Sequence, residues 1–394
     1  MIFIYEDSWE NYKPLSLLRP VAEVRCGALT FRQKIESVFK DEVRMIVRDR
    51  MPDLCLEQWP EASRGINDVP QGRHLFIAAG SIFTAPIPMT GYDDTFVDEK
   101  ERILGFETDS LAGYVSAESI ADFLADSTPQ KRSVPGRRIH YPWEIFAGLE
   151  LEVTRDFKGK LSQGAIDSHV AVYGDALRIE EGAVIEAGVT IDCRKGPVTV
   201  ANNALIKGPT LIEGPVYVGE KTVVDSARLR AGTVLGPQCR VGGEIEASIL
   251  HGFVNKHHEG FIGHAYVGEW VNLGAMTTNS DLKNNYSPVR VVLNGEEYST
   301  GITKFGCIIG DHTKTAIGTL IPTGAVIGVF ANILGGGLCS KNIPSFSWGE
   351  ESVYSLSQLA ETAEKVMARR DVSIGKTLLE FISNLHSEHT QDVG

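Results

Sequence analysis

Residues 309–333 read IGDHTKTAIGTLIPTGAVIGVFANI, and an apolar or small residue returns at every sixth position: Ile309, Thr315, Ile321, Ile327 and Ile333. Gly310, Gly318, Gly324 and Gly328 fall among them, with Pro322 nearby. A period of six is neither the 3.6 of a helix nor the 2 of a strand, so the stretch is not one long element of either kind. It predicts a parallel β-helix, in which short strands joined by tight turns stack coil on coil. One inward side chain per flat face fills the shaft, and glycine serves corners where φ is positive.

The same step appears upstream at Ile179, Ile185 and Ile191, at Ile206, Ile212, Val218 and Val224, and at Leu229, Leu235 and Val241. The solenoid is therefore expected over residues 160–345. Its period is lost over 279–301, NSDLKNNYSPVRVVLNGEEYSTG. Such an excursion is expected to reach over a neighbouring surface and to carry function. Residues 350–394 turn helical, with one stripe at Leu356, Leu359, Ala363 and Val366 and another at Leu378, Phe381, Ile382 and Leu385. These helices are expected to cap the open end of the solenoid, and residues 389–394 to be disordered.

Residues 1–150 have an α/β pattern. Short apolar runs at Ile2–Tyr5, Val43–Val47 and Leu75–Ala79 suit buried strands, and Leu29, Phe31, Ile35, Val38 and Phe39 have helical spacing. Phe123 and Leu124 fall in another expected helix. The polar, basic and proline-bearing stretch 126–142 is expected to be a linker or exposed loop, with Trp143–Ile145 beginning a docking segment.

At 394 residues the chain exceeds one compact core. Its net charge of −13 argues against nucleic acid as a partner. The six cysteines have neither CxxC nor zinc-site spacing, which suits scattered thiols in a reducing cytoplasm. No signal peptide is expected, since acidic residues follow the first short apolar run. No apolar stretch approaches the roughly 20 residues needed to span a bilayer, so no membrane partner is expected.

The histidines His257, His258 and His264 cluster in 254–278, VNKHHEGFIGHAYVGEWVNLGAMTT. An imidazole at neutral pH can accept a proton from an attacking group. Three further motifs accompany them: Ala227-Arg228-Leu229-Arg230-Ala231-Gly232; His258 followed by Asn272 in Val271-Asn272-Leu273-Gly274-Ala275; and Lys304-Phe305-Gly306-Cys307-Ile308-Ile309-Gly310. In order and approximate spacing these resemble the acetyltransferase half of the bifunctional N-acetylglucosamine-1-phosphate uridyltransferase/glucosamine-1-phosphate acetyltransferase family. The resemblance is to a variant with a shortened nucleotidyltransferase domain.

That resemblance implies an α/β nucleotidyltransferase-like (Rossmann-like) domain, a left-handed parallel β-helix and C-terminal helices. It implies acetyl-CoA as cosubstrate and threefold packing with sites between subunits, hence a cytoplasmic homotrimer. His258 stands where the family places the general base, and Asn272 where an amide supports the acceptor. Arg230 and Lys304 stand where cations hold a sugar phosphate, and Ala275 where the coil backbone lies along pantetheine. The sequence departs from the family in three places. Glu246 replaces a phosphate-gripping lysine, for which Lys256 is the substitute. Phe261 replaces a tyrosine, and Asp281 an asparagine. His264, in Gly263-His264-Ala265-Tyr266, is the alternative base.

In the N-terminal part the segment expected to cradle a triphosphate, residues 15–30, has one glycine, Gly27, where the family has a run. Arg19, Arg25 and Lys34, with Arg32, are expected to supply phosphate contacts by side chain instead. The position resembling the family's Mg²⁺ aspartate carries Gly80 or Ser81. The metal ligands therefore stay unassigned, with Asp93, Asp94 and Asp98 downstream. The expected protein is an N-acetyltransferase for an amino-sugar phosphate, fused to a domain that binds a nucleotide. The rival readings are a sugar-1-phosphate nucleotidyltransferase using UTP or dTTP, whose solenoid serves trimerisation, and a non-enzymatic nucleotide-sugar sensor.

Overall fold

A computed structural model describes residues 1–41, 43–126, 129–349 and 351–391. The N-terminal domain is built on a six-stranded mixed sheet. Ile2–Tyr5 lies between Val43–Ile46 and His74–Ala78, parallel to both. Ile103–Thr108 joins His74–Ala78 antiparallel, Asp94–Val97 follows it antiparallel, and Gln130–Ser133 closes the edge in parallel. The helix Phe31–Phe39 starts on a capping box between Thr30 and Gln33. The helix Ala117–Asp126 carries Phe123 and Leu124.

The stretch expected as a linker is in part sheet. Gln130–Ser133 is an edge strand and Gly136–Arg138 pairs antiparallel with Ser81–Phe83. Exposed Lys131 and Arg132 suit an edge, which charged side chains protect from stray pairing. Residues 127 and 128 lie outside those described.

From Leu161–Ser162 onward the chain winds as a left-handed parallel β-helix. Ten strands, from Leu161–Ser162 to Asn342–Ile343, stack in parallel to make its first face. The hexad residues fill the shaft: Ile179, Ile206, Leu235, Ile309, Ile327 and their equivalents are buried in one core. Thr315, the polar member, is satisfied there. Its hydroxyl accepts from the Gly274 N–H at 3.0 Å and bonds Thr277 Oγ1 at 2.7 Å.

Outward residues of the first face alternate with the shaft residues. Val234, Ile249, Tyr266 and Ile308 are apolar or aromatic and buried in a second core. That core also holds Leu15, Leu18, Val21 and Val24 from the N-terminal domain, and Leu359 and Ile382 from the tail. Domain and solenoid thus share one apolar interior.

The corner that follows the first face is a column of aromatic rings. Phe253, Trp270, His312, Phe330 and Phe346 all have left-handed backbone, φ from 54 to 61°. Successive ring centroids stand 4.1, 6.1, 4.5 and 5.7 Å apart. Left-handed geometry is unfavourable for bulky residues, and stacking against the rings above and below offsets it.

The excursion is a hairpin, Arg290–Leu293 paired with Glu296–Ser299. It folds onto the N-terminal domain of its own chain. Val289, Val291 and Leu293 are buried in the shared core, and Asn294 Nδ2 donates to the Glu10 carbonyl at 3.0 Å. Tyr298 packs 6.0 Å from Trp143, which stacks on Tyr141 at 4.5 Å. The neighbouring surface that the excursion covers is therefore its own domain, because the strand's alternate apolar residues join the shared core and Tyr298 meets the rings of Tyr141 and Trp143.

The helices Leu356–Ala368 and Lys376–Gln391 do more than close the end of the solenoid. Phe346, the last ring of the column, meets His386 and His389. Glu57 of the N-terminal domain caps the second helix, accepting from the Thr377 and Leu378 N–H groups at 3.0 Å each. That helix runs to Gln391, through part of the expected disordered tail, and residues 392–394 lie outside those described.

Candidate functional site

The third face of the solenoid carries the densest chemistry. Arg228, Glu244 and Phe261 share one register row on successive coils. Glu246 and Gly263 share the next. Arg230 Nε lies 2.7 Å from Glu244 Oε1 and 3.9 Å from Glu246 Oε2. Lys304 Nζ lies 3.4 Å from Glu246 Oε1. The expected phosphate cations, Arg230 and Lys304, are thus brought together, with Glu246 between them.

His264 stands at the far corner of this face. Its backbone is left-handed, φ 47°. Its N–H donates to the Glu246 carbonyl at 3.0 Å, and its carbonyl accepts from the Gly306 N–H at 2.9 Å. Its ring Nδ1 lies 2.8 Å from Asp281 Oδ2, the two side chains being 14% and 15% exposed. Burial works to raise the Asp281 carboxyl, but the hydrogen bond and charge of His264, and then Lys304, outweigh it and hold the group below the usual carboxylate range. Asp281 and Lys304 come from the two sides of the excursion's neck, where Leu282 and Lys304 form an antiparallel bridge.

His258 lies at the near corner of the same face. Its ring is exposed, packs on His257 with centroids 5.3 Å apart, and has no hydrogen-bond partner among the described residues. Asn272 is on the preceding face, one coil above Asn255, whose Nδ2 donates to Asn272 Oδ1 at 2.6 Å. Ala275 is at the His258 corner, its carbonyl accepting from the Gly318 N–H at 2.8 Å. A groove of about 450 Å³ runs below this corner, past Thr190, Thr210, Arg228, Glu244 and Glu259.

Lys256 does not reach a phosphate. Its ammonium is buried and donates to the Gly242 and His258 carbonyls at 2.8 and 2.6 Å. A lysine on the shaft side of a strand can satisfy its donors only on backbone carbonyls. Burial lowers it to about 8.

The four expected nucleotide ligands also face inward. Residues 14–24, nearly all buried, lie between the sheet and the solenoid, with Cys26–Leu29 largely buried beside them. Arg19 Nη2 pairs with Asp311 Oδ2 at 2.8 Å and Glu269 Oε2 at 3.2 Å. The Arg25 N–H donates to the Tyr266 hydroxyl at 2.9 Å, and that hydroxyl donates back to the Arg25 carbonyl at 3.2 Å. Lys34 pairs with Glu152 at 3.0 Å and Asp156 at 2.6 Å. Gly27 has φ 97°, and a Cβ there would stand 2.5 Å from Asp156 Oδ2. Arg19 and Lys34 are neutralised by carboxylates of the solenoid and the helix before it, and the Arg25 guanidinium donates to the Ala28 carbonyl, so this segment joins the two parts and does not cradle a triphosphate.

Nor do the residues fit Mg²⁺. A Cβ at Gly80 would collide with Arg138 Nη1 and Tyr12 Oη, and Arg138 already pairs with Asp7. Asp93 is held by Arg73, Asp94 by Arg132 and Thr90, and Asp98 by Arg102. No cluster of three metal-ligating side chains occurs among the described residues.

The sequence reading missed the His264–Asp281 pair as a unit. The signal was spacing: the two are 17 residues apart, about one coil, so they stack.

Residues 1–163 match the family described as sugar nucleotidyl transferase. The chain is similar to the bifunctional sugar-1-phosphate nucleotidylyltransferase/acetyltransferase of Sulfurisphaera tokodaii, at 32% identity over 159 residues, 36% of this chain and 40% of that protein. It is similar to bifunctional protein GlmU of Picosynechococcus sp., at 28% over 158 residues, 38% and 31% of the two chains. It is also similar to GlmU of Methylibium petroleiphilum, at 28% over 205 residues, 51% and 36%. The chain thus spans 31–40% of the length of these relatives. Among solved structures, Arabidopsis UDP-N-acetylglucosamine acyltransferase is similar at 11% identity and a TM-score of 0.21, over 59% of this chain and 90% of that one. No described helix is long and apolar enough to cross a membrane.

Proposed function

We propose that this protein is an acetyl-CoA-dependent N-acetyltransferase for an amino-sugar phosphate. One observation carries the reading: the third face of the solenoid sets two cations, Arg230 and Lys304, beside histidines at both of its corners. Guanidinium and ammonium groups suit phosphate, and an imidazole suits removal of the amine proton. Likeness to bifunctional nucleotidylyltransferase/acetyltransferases supports it. Asn272 supports the acceptor side, Phe261 lines the face and Ala275 lies along the thioester's pantetheine.

The reaction is direct attack of the sugar amine on the acetyl carbonyl. Glu246, between the two cations, tempers the positive charge offered to the phosphate, so selectivity for phosphorylated acceptors is modest. Copies assemble as a homotrimer through the exposed apolar patch of Met276, Ile317, Leu320, Leu334 and Leu338. The protein acts in the cytoplasm. Incubation with acetyl-CoA and a panel of amino-sugar phosphates tests the reading. Release of CoA thiol with at least one acceptor is the expected result, and its absence with all of them counts against it.

A further inference from the structure

We propose that His264, held by Asp281, is the proton acceptor of this acetyl transfer, and that His258 is not. The inference rests on the acetyltransferase reading and moves the reacting centre to the opposite corner of the face. Three observations carry it.

The first is orientation. With a carboxylate 2.8 Å from Nδ1, the neutral ring keeps its proton on Nδ1 and presents the Nε2 lone pair, as a base requires. The second is rigidity. The corner backbone is fixed by hydrogen bonds on both sides, to Glu246 and Gly306. The third is contrast: the exposed His258 ring has no hydrogen-bond partner among the described residues to set its tautomer or direction.

The groups around the dyad come from three elements. Glu246 is on the coil below, and Asp281 and Lys304 are on the two sides of the hairpin neck. Arg230 is one coil below Glu246. An acceptor whose phosphate lies along Arg230 and Lys304 brings its amine toward Nε2. The amine nitrogen bonds to the acetyl carbon while its proton passes to Nε2. The carbon–sulfur bond then breaks, and the thiolate takes that proton back to leave as CoA thiol. Amine and thioester become amide and thiol, and His264 is regenerated. Asp281 is a positioning residue, since it acts only through His264.

The test uses the full chain and steady-state thiol release. His264→Ala should lower kcat by roughly 10²–10⁴-fold, the usual contribution of a placed base, with KM for both substrates within about threefold. Millimolar imidazole should restore part of that rate, which a merely structural loss would not allow. Asp281→Asn should cost roughly 10–10²-fold. It should act on kcat and leave KM for both substrates within about threefold. His258→Ala should cost far less than His264→Ala. His264→Asn, with its circular dichroism compared with the wild type, controls for folding. The assignment is overturned if His258→Ala shows the large loss and His264→Ala does not, or if His264→Ala raises KM alone. A wild type without activity on any acceptor overturns the acetyltransferase reading, and this assignment with it.

Discussion

Arg19 and Asp311 form a buried ion pair, 2.8 Å from Nη2 to Oδ2, across 292 residues of chain. Both side chains are 2% exposed, and Glu269 shares the same guanidinium at 3.2 Å. Burial works to raise both carboxyls. Arg19 outweighs it at Glu269, which stays well below the ordinary range, while at the more deeply enclosed Asp311 burial wins. His251 closes the network, its two nitrogens 3.1 Å from Glu269 and 3.0 Å from the Glu23 carbonyl. The segment expected to hold a triphosphate is thus the bolt between the two halves of the molecule.

Arg19→Met should lower stability by about 3–5 kcal/mol, since it strands a buried carboxylate. The double variant Arg19→Met/Asp311→Leu should recover much of that loss. Urea midpoints of the two variants measure it. An unchanged midpoint in the single variant would show that the junction does not depend on this pair.

The N-terminal domain should release no pyrophosphate from UTP or dTTP with any sugar 1-phosphate and Mg²⁺. Gly80→Asp should not create the activity, because its Cβ collides with Arg138 and Tyr12. Arg25→Ala should leave any nucleotide affinity of the full chain unchanged. A coupled pyrophosphate assay on wild type and variant decides the first claim, and calorimetry the second. Metal-dependent turnover by the wild type would contradict the packing described.

What the sequence revealed, and what it hid, follows from distance along the chain. The solenoid was legible because Ile309, Ile321 and Ile327 each meet the shaft through a local step of six. The excursion showed itself when that step stopped at 279. The roles of Arg19 and Lys34 were not legible. Cations near proline and glycine describe a phosphate loop and a buried clamp equally well until their partners are known, and Glu152, Asp156 and Asp311 lie 118, 122 and 292 residues away. Alignment by motif favours His258, whereas stacking by coil brings Asp281 to His264. Only the second arrangement carries a hydrogen bond.

Lys256 and Lys314 should favour the fold increasingly as pH rises between about 8 and 10, against the buried thiols of Cys26, Cys55, Cys193, Cys239 and Cys307, which burial raises and which act in the opposite sense. Burial lowers Lys256 to about 8 from 10.5, and Lys314 likewise. In that window the unfolded chain keeps protons that the folded chain has shed, so deprotonation favours the fold. Below about 8 both states are protonated, and the cost of burying the charge is constant. Lys256 alone contributes up to ~3 kcal/mol in that sense. The gap in urea midpoint between wild type and Lys256→Met should therefore shift in favour of the wild type from pH 7.5 to 9.5. A gap that stays constant over this range would contradict the assignment.

The assembly should be a trimer of 43.0 kDa chains held by the apolar patch. Ile317 and Leu338 are 73% and 74% exposed in the single chain, and Ile317→Glu/Leu338→Glu should dissociate it. Light scattering reads the outcome directly. A wild-type mass near that of one chain at micromolar concentration would rule the trimer out.

The shared interior has a consequence for how such a chain can evolve and be engineered. A fusion of two enzymes is ordinarily separable: either module can be cut away, exchanged or lost. Here a cut between Arg155 and Leu161 would bare Val234, Ile249, Tyr266 and Ile308 along one wall of the solenoid, and the hairpin would lose the surface it rests on. The front module can shed its chemistry, residue by residue, without ever becoming dispensable. Its sequence is then held by what it covers, so likeness to an enzyme family can persist there long after the reaction has gone.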